Sequence, residues 1–485
     1  MTSDPRVADL LVVGAGPAGM AAAVTALTAG LTVDLLDSGA EVGGQYWRHP
    51  PRDGRVLVDD RQHHDLGTYR ALRRHLDHHA ATGRLRLLLH HHVWTAERGP
   101  DGLVTVHAID RSGRPGAEKA VRLGGRRLLV ATGAFDRPLP FEGWDLPGVY
   151  TAGALQALLK GNAVTAGTRV VLGGTGPFLL PVAVGLARAG ARVLAVCEAG
   201  SFAGWATKVQ VAVGVPGKLV EGGEYAAELA RHRISLLQRT AVVAASGADR
   251  VTSVTLARLD RAGQIVPGHS RDIAVDAVGV GWGFVPQLDL LVTLGCDLAD
   301  GHDGNEVVAV DDSGRTSVAG VYAAGEVSGV GGAELALREG QLAAEAVLAD
   351  AGARASTSGR RLASVRGIVA RHRAFAAAMH ATHPVPDSWT RWLPDSATVC
   401  RCEEVEAGVI REAVADGADS VRQVKQLTRA GMGWCQGRMC SSAVDCLVGE
   451  ANPAAPSSPA RSTAAIERLV ASPVPLGALA AETDG

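Results

Sequence analysis

The sequence of 485 residues lacks an excess of charge of either sign. It contains 48 Lys and Arg residues and 50 Asp and Glu residues, so its formal net charge is only -2. A chain without a basic field does not attract polyanions, which excludes nucleic acid and anionic membranes as main partners. Small molecules and other proteins are therefore the expected partners.

An uninterrupted apolar run long enough to cross a bilayer is also missing. The apolar stretch over residues 10–33 is broken by Gly14, Gly16, Pro17 and Gly19, which is typical of a strand, a turn and a helix. We therefore expect a cytoplasmic protein with no membrane span. Its length and its 47% of apolar residues suffice for two or three domains.

The third absence concerns paired cysteines. Cys197 and Cys296 stand alone, without a C-x-x-C partner, so dithiol exchange is excluded as the activity. The other five cysteines crowd the carboxyl-terminal part of the chain, at positions 400, 402, 435, 440 and 446. In a reducing compartment such a cluster indicates metal binding before it indicates disulfides.

The first motif begins with an apolar segment, residues 9–13, that runs into the turn GAGPAG at positions 14–19; a second predicted strand, residues 32–36, ends at an acid. This order is typical of a dinucleotide-binding fold. The first glycine permits the tight turn, the second lets the backbone approach a pyrophosphate, and the third lets the helix pack on the strand. The helix start faces the phosphates, and the acid accepts hydrogen bonds from the adenosine ribose. The candidate contacts are Gly14, Gly16, Pro17, Ala18, Gly19, Asp37 and Ser38.

Three later segments are similar to those of two-dinucleotide-domain flavoproteins related to thioredoxin reductase. They are EVGGQYW at 41–47, LLVATGAFDRPLP at 128–140 and GVYAAGEVSGVGGAELALREG at 320–340. The resemblance implies a Rossmann-like α/β fold with FAD in the first site, although Glu326 stands where the family usually has aspartate. It also implies that the backbone of Val93, in the strand-like HHHVWTAE, meets the adenine ring. The implied FAD contacts are Gly44, Gln45, Val93, Ala131, Thr132, Gly133, Gly325, Glu326 and Ala333.

A second dinucleotide-type pattern lies between these segments. A predicted strand over residues 169–172 runs into GGTGPFLLP, and another over residues 192–196 ends near Glu198. With Gly174 and Gly176, this acid favours an unphosphorylated ribose and hence NAD over NADP. Leu179, however, takes the place of the third glycine, and a bulky side chain there is expected to push helix and strand apart. The alternatives are therefore an NAD site and a site that is vestigial or holds an adenine nucleotide structurally.

The carboxyl-terminal cysteines have the spacing C-x-C, then 32 residues, then C-x4-C. Four thiolates from two tight loops suit a [2Fe–2S] cluster, because each loop can offer both sulfurs to one iron or divide them between the two. Residues 406–427 are predicted to form two short helices separated by Gly417, which would bring the loops together. Zinc is the alternative metal, although its sites usually prefer C-x2-C spacing. The candidate ligands are Cys400, Cys402, Cys435 and Cys440.

The segments CRCEEV and GMGWCQGRMC at the two ends of this region resemble the bacterioferritin-associated ferredoxin type of [2Fe–2S] domain. Together with the flavin fold, over about residues 5–450, the arrangement resembles the large subunit of hydrogen cyanide synthase, opine oxidase and heteromeric proline or hydroxyproline dehydrogenases. The resemblance implies that Cys446 is not a ligand. It also implies that a separate FAD subunit resembling D-amino acid oxidase oxidises the amine, and it leaves open an FMN at a subunit interface and a small ferredoxin-like subunit.

The expected organisation is an α/β two-dinucleotide-domain flavoprotein with a small helical [2Fe–2S] domain at its end. The predicted segments are residues 1–144 and 291–350 (the two parts of the FAD-binding domain), 145–290 (an inserted NAD(P)-binding-like domain), 351–395 (a helical linker), 396–450 (the [2Fe–2S] domain) and 451–485 (a flexible tail).

Three functions are compatible with these motifs. The favoured one is an electron-transferring subunit of a heteromeric amine or amino-acid dehydrogenase or oxidase. The second is a self-sufficient NADH-dependent reductase that passes electrons to a ferredoxin-like acceptor. The third is a non-catalytic scaffold whose nucleotides only hold its fold. The complete first motif and the incomplete second one favour the first function.

Overall fold

A computed structural model describes residues 6–50, 62–114, 116–451 and 470–483 of the chain. The helices in this part are α1 (Pro17–Thr28), α2 (Leu66–Ala81), α3 (Ala152–Asn162), α4 (Leu179–Arg188), α5 (Val209–Val213), α6 (Pro216–Arg231), α7 (Asp289–Thr293), α8 (Ala333–Asp350), α9 (Gly359–Thr382), α10 (Ala407–Ala415), α11 (Val421–Thr428), α12 (Ser441–Ala451) and α13 (Leu476–Thr483). The strands are β1 (Val7–Ala8), β2 (Leu10–Val13), β3 (Val33–Leu36), β4 (Leu85–Leu88), β5 (His91–Arg98), β6 (Val104–Asp110), β7 (Lys119–Gly125), β8 (Leu128–Val130), β9 (Ala134–Asp136), β10 (Val149–Thr151), β11 (Arg169–Gly174), β12 (Arg192–Glu198), β13 (Ser235–Gln238), β14 (Thr240–Ser246), β15 (Ser253–Leu259), β16 (Ile265–Ala274), β17 (Ala277–Gly281), β18 (Phe284–Pro286), β19 (Leu298–Asp300), β20 (Glu306–Val308), β21 (Val321–Ala323), β22 (Thr398–Cys400) and β23 (Val405–Glu406).

The first parallel sheet has the strand order β21-β8-β2-β3-β4. Every residue of β2 and β3 is buried, as expected for a parallel sheet that is covered on both faces and therefore built from continuous apolar runs. Strand β21 pairs with β8, so the chain returns to this sheet after a long excursion. Because the strands are parallel, the loops that follow β2, β3, β8 and β21 meet at one edge, where α/β folds bind their ligands.

A second parallel sheet has the order β10-β17-β11-β12-β13. Leu179, at the start of α4, is buried in the core beside it. The neighbouring strand carries Gly281, and a Cβ atom there would lie 3.3 Å from Leu179 Cδ2. A glycine on the adjacent strand therefore provides space for the side chain of Leu179, and the expected separation of helix and strand stays a prediction.

The remaining sheets are mostly antiparallel. Strands β5, β6 and β7 form a meander that β1 extends in parallel, and β14, β15 and β16 form a second meander. Strands β9 and β18 pair antiparallel where the chain passes between the two parallel sheets. Within the described ranges, no helix combines the length and the apolar character that a membrane crossing requires.

The carboxyl-terminal module consists of α10, α11 and α12 with the β22-β23 hairpin. The prediction of two short helices separated by Gly417 is confirmed. The module shares one hydrophobic cluster with Leu139 and Trp282 of the preceding folds. Of the predicted tail, residues 452–469 lie outside the described part. Ala471 donates its backbone N–H to Trp94 O at 2.7 Å, so residues near 471 are held against β5.

Candidate functional site

The glycine-rich loop of the first sheet contains two glycines that the protein's own packing requires. Gly14 has a φ of +104°, and a Cβ atom on it would collide with Ala131 O; a Cβ atom on Gly19 would collide with Gly14 O. The loop after β8, which contains Ala131, thus lies directly against the loop after β2. Gly16 differs, because the nearest atom to a Cβ placed on it is Gly44 Cα at 3.9 Å. Because Gly16 has no side chain, the space beside it is open, and a pyrophosphate would lie there.

Gly44 faces Gly16 across this space. It has a φ of +58°, and a Cβ atom on it would lie 2.8 Å from Gly16 Cα. The next residue, Gln45, accepts hydrogen bonds from Arg48 Nε at 3.0 Å and Arg48 Nη2 at 2.7 Å. The charge of Arg48 interacts with that of Asp37. A cation fixed beside two bare glycines fits a diphosphate, and no sequence motif had indicated Arg48.

Asp37 braces the turn around it. Its Oδ2 accepts a hydrogen bond from Ala15 N at 2.6 Å and its Oδ1 accepts one from Gly39 N at 2.7 Å. Burial raises the pKa of Asp37, and these two amides and Arg48 oppose the shift. Each carboxylate oxygen has a second lone pair for a ribose hydroxyl. Ser38 beside it is exposed.

Val93 lies near Asp37, and its predicted backbone contact with the adenine ring stays a prediction. His91, at the start of the same strand, donates its backbone N–H to Asp37 O at 2.9 Å, which places β5 beside the acidic strand end. The carbonyl oxygen of Val93 accepts a hydrogen bond from Ser472 Oγ at 3.2 Å. Its side chain packs against the hydrophobic cluster that includes Leu36 and Val106.

The far side of the site is closed by the segment after β21. A Cβ atom on Gly325 would lie 3.0 Å from Ala18 Cβ, and one on Gly340 would collide with Ala18 O, so α8, which begins at Ala333, lies against α1. Buried Glu339 accepts a hydrogen bond from Gly325 N at 3.0 Å and forms an ion pair with Arg373 of α9 at 2.9 Å. Glu339 and Gly340 both lie within the segment at 320–340, but the sequence gave no sign of the contact of Gly340 with α1 or of the ion pair between Glu339 and Arg373.

Glu326 uses its extra methylene to reach the turn before α8. Its Oε1 accepts a hydrogen bond from Gly332 N at 3.2 Å. Burial, opposed by this amide and reinforced by the charges of Glu339 and Asp303, raises the pKa of Glu326 to about 7. This backbone hydrogen bond uses one of the two carboxylate oxygens, and the flavin contact of Glu326 stays a prediction.

Replacing Glu326 by Gln should change how stability depends on pH. A carboxyl group whose folded pKa exceeds its unfolded value of 4.5 stabilises the fold fully below that value, and the contribution disappears as pH rises through about 7. At roughly 1.4 kcal/mol per pKa unit, the free energy of unfolding should fall by up to about 3 kcal/mol more in the wild type than in the variant over this interval. Denaturant titrations of both proteins from pH 4.5 to 8 measure the difference, and parallel curves would contradict the assignment.

The four predicted cluster ligands form two pairs. The thiol of buried Cys400 interacts most strongly with that of buried Cys440, and the thiol of exposed Cys402 interacts with that of Cys435. Each pair takes one cysteine from each loop, which favours the divided arrangement of sulfurs. Among the described residues, no three His, Cys, Asp or Glu side chains converge as a single ion would need. Two pairs of thiolates fit a cluster of two iron atoms, each with two protein sulfurs.

Backbone groups around these sulfurs also fit a cluster. Gly431 N points at Cys400 Sγ at 3.5 Å, and a side chain on Gly433 would collide with Cys402 Cβ. The interaction with Cys440 lowers the pKa of Cys400 to about 5, against the effect of burial and with help from the amides of Gly431, Glu403 and Cys402, and the same interaction raises the pKa of Cys440. Cys446 packs into the module's hydrophobic cluster and burial raises its pKa to about 12, as expected of a residue that is not a ligand.

A short series of contacts joins the flavin side to the cysteine loop. Gln287 donates its N–H to Gly133 O at 2.9 Å and accepts a hydrogen bond from Thr132 Oγ1 at 2.9 Å. Two residues further on, buried Asp289 lies 3.3 Å from Arg438 Nη2. Arg438 lies between two of the cysteines. The loop predicted to contact the flavin and the cysteine loop are therefore connected through the segment that contains Gln287 and Asp289.

These two sites define a class of protein: an FAD-dependent oxidoreductase that also carries a [2Fe–2S] cluster. Residues 8–349 match the pyridine nucleotide-disulphide oxidoreductase family, and residues 398–450 match the BFD-like [2Fe-2S] binding domain. The chain is 34% identical over 451 residues to a subunit of opine oxidase from Rhizobium meliloti, covering 90% of this chain and 92% of the relative. It is 31% identical over 442 residues to the HcnB subunit of hydrogen cyanide synthase from Pseudomonas protegens, covering 89% of each. The chain belongs to the oxidoreductase family that contains these subunits.

Two solved structures confirm the predicted fold class. L-proline dehydrogenase from P. horikoshii superposes with a TM-score of 0.65 at 19% identity and covers 98% of this chain and 79% of its own. Thioredoxin reductase from T. acidophilum has a TM-score of 0.51 at 22% identity and covers 72% of this chain and 100% of its own. At such identities the likeness establishes the fold alone.

Proposed function

We propose that the chain is the cytoplasmic electron-transferring subunit of a heteromeric dehydrogenase or oxidase that acts on an amine or amino acid of the opine, proline, hydroxyproline or glycine type. The names of its relatives support this proposal, since they are subunits of opine oxidase and hydrogen cyanide synthase. The alpha subunit of sarcosine oxidase from Rhizobium meliloti is a further relative, 27% identical over 97% of this chain and 42% of its own length.

The observation that carries the proposal is the contact series from Gly133 through Gln287 and Asp289 to Arg438. When bound, FAD would accept two electrons and release them one at a time, and a [2Fe–2S] cluster would take up one electron at a time. Arg438 and Asp289 hold the cysteine loop against the segment that is hydrogen-bonded to the predicted flavin edge. A framework that fixes both cofactors relative to each other suits transfer between them.

The substrate itself is assigned to a partner. The sequence offers no arrangement of Tyr, Arg and aromatic residues for an amino acid, and its five Tyr residues leave little choice. The proposed partners are a separate FAD subunit resembling D-amino acid oxidase and a small ferredoxin-like subunit. An additional FMN is assigned to the interface between subunits.

Anaerobic reduction tests this function. The chain alone, loaded with FAD and cluster, should keep its flavin oxidised when proline, hydroxyproline, glycine or an opine is added. The complex isolated with its natural partners should bleach with one of these amines and then show the electron paramagnetic resonance signal of a reduced cluster.

Other outcomes would assign other functions. Bleaching of the isolated chain by an amine would place oxidation in this chain. Stoichiometric bleaching of the isolated chain by NADH would support the self-sufficient reductase instead.

A further inference from the structure

The acid of the second nucleotide fold is surrounded by protein groups. Glu198 is 2% exposed, and it accepts hydrogen bonds from Thr175 Oγ1 at 2.8 Å, Gly176 N at 2.8 Å and Gly200 N at 2.9 Å. His383, also buried, places Nδ1 at 3.3 Å from Glu198 Oε2. This histidine comes from outside the fold, directly after the end of α9.

The first fold of the same chain provides a comparison. Asp37 is braced by amides of its own turn, from Ala15 and Gly39, and Glu198 is braced in the same way by Gly176 and Gly200. The imidazole of His383 is the additional element. The imidazole contacts the carboxylate that, in a nucleotide-binding fold, accepts hydrogen bonds from the ribose hydroxyls.

The two glycine turns also lead into their helices differently. In α1 the first helical bond runs from Met20 N to Gly16 O at 2.9 Å. In the second fold, Leu179 N bonds Gly176 O at 3.4 Å and Leu180 N bonds Pro177 O at 3.1 Å. In these tighter turns, the backbone amides bond to carbonyl groups of the same loop. A dinucleotide-binding fold instead directs such amides at a pyrophosphate.

The end of α9 is fixed on the loop that follows Glu198. Trp205 Nε1 donates a hydrogen bond to His383 Nε2 at 3.1 Å, which leaves the imidazole proton on Nδ1. Nδ1 lies 3.3 Å from Glu198 Oε2, a contact of charge and dipole without hydrogen-bond geometry. Lys208 Nζ donates to Ala378 O at 3.1 Å and to Thr382 Oγ1 at 3.2 Å, so it caps the last turn of the helix. The loop after β12 and the helix end thus cover the acid together.

We propose that Glu198 binds the chain's own linker through His383 instead of a nucleotide ribose, so that the second fold is closed to NAD and NADH and serves to position the [2Fe–2S] module. Residues 384–397 lead directly from His383 to the cysteine hairpin. His383 is a positioning residue: its contact fixes where the module begins. The part of this proposal that concerns electron transfer rests on the proposed function, whereas the closure and the anchoring do not.

Nucleotide binding tests the closure. Calorimetric titration of the FAD- and cluster-loaded wild-type chain with NAD, NADH and ADP-ribose should show no saturable binding up to ~1 mM, the weakest affinity that such a titration resolves. One equivalent bound by the wild type below that concentration would overturn the proposal.

Hydrogen exchange tests the anchoring. In His383→Ala, amides of residues 376–392 should exchange at least about tenfold faster, because a local opening is favoured when a buried contact is lost. His232→Gln is the matched control: it removes another His–Glu contact of the second fold, with Glu228 at 3.4 Å on α6, and should leave these amides unchanged. If His383→Ala does not fold, Trp205→Phe removes the donor to His383 while it keeps an aromatic ring beside Phe375, and it should accelerate exchange about threefold. Wild-type exchange in the folded variants would refute the anchor.

Electron transfer provides the third measurement. After rapid reduction of the flavin, the cluster of His383→Ala should be reduced at least about threefold more slowly, with FAD and iron contents unchanged. A wild-type cluster that is never reduced by the flavin would refute the proposed function, while the calorimetry and the exchange experiment would still decide the anchor. Equal rates in wild type and His383→Ala would refute the positioning role.

Discussion

Replacing Cys435 by Ser should abolish the visible absorption of the cluster and reduce bound iron at least about tenfold, while FAD content stays near that of the wild type. Cys435 is paired with Cys402, and a serine hydroxyl remains protonated where a thiol forms the thiolate that iron requires. The predicted FAD contacts belong to loops of the first sheet, and none of them lies in the cysteine loops. Absorption spectra, iron and sulfide assays and flavin extraction on one preparation measure all three quantities.

Cys446→Ser is the matched control for this variant. It makes the same chemical change in the same module, at a residue that packs in the hydrophobic cluster. The cluster should be retained, with at most a modest loss of stability from the buried hydroxyl. Loss of flavin together with iron in Cys435→Ser would contradict the division of the chain into two sites.

Replacing Gly16 by Val should weaken FAD binding at least about 100-fold, or roughly 3 kcal/mol, without unfolding the protein. The φ of Gly16 is -75° and its Cβ position has no neighbour closer than Gly44 Cα at 3.9 Å, so the fold accepts a side chain there. The pyrophosphate does not, because it needs that space. Flavin fluorescence of dialysed protein and far-ultraviolet circular dichroism separate loss of cofactor from loss of fold.

Gly67→Val is the control for added bulk at a glycine, because a Cβ atom at Gly67 in α2 has no neighbour within 4 Å. It should keep its FAD. Gly14→Ala should behave differently from both, since its Cβ atom would collide with Ala131 O and the fold itself should be destabilised. Full retention of FAD in Gly16→Val would show that another loop binds the pyrophosphate.

The regular elements of the two nucleotide folds were predictable from the sequence. The expected strands over residues 32–36 and 192–196 correspond to Val33–Leu36 and Arg192–Glu198. Both are largely buried parallel strands that are mostly apolar and end at an acid, and both follow a glycine-rich turn and a helix. Local patterns of this kind are complete within about thirty residues.

The contacts that complete the sites were not predictable in the same way. Arg373 meets Glu339, and His383 meets Glu198, across long stretches of chain, and such polar pairs leave no periodic trace in the sequence. The packing of Leu179 was not predictable for the same reason, because Gly281, which provides the space for its side chain, is on a different strand. Apart from the strand-like segment that forms β5, the strands of the antiparallel meanders were not predicted, because they carry no motif.

The cysteine pairing has a consequence for assembly. Because Cys400 pairs with Cys440 and Cys402 with Cys435, metal atoms bound there cross-link the two ends of a segment that also contains α10 and α11. Neither loop can complete its half alone, so iron insertion should be an all-or-none event that is coupled to folding of the segment. Under iron starvation, the nucleotide folds would then remain intact while the segment from Cys400 to Cys440 stays unfolded and is open to proteolysis.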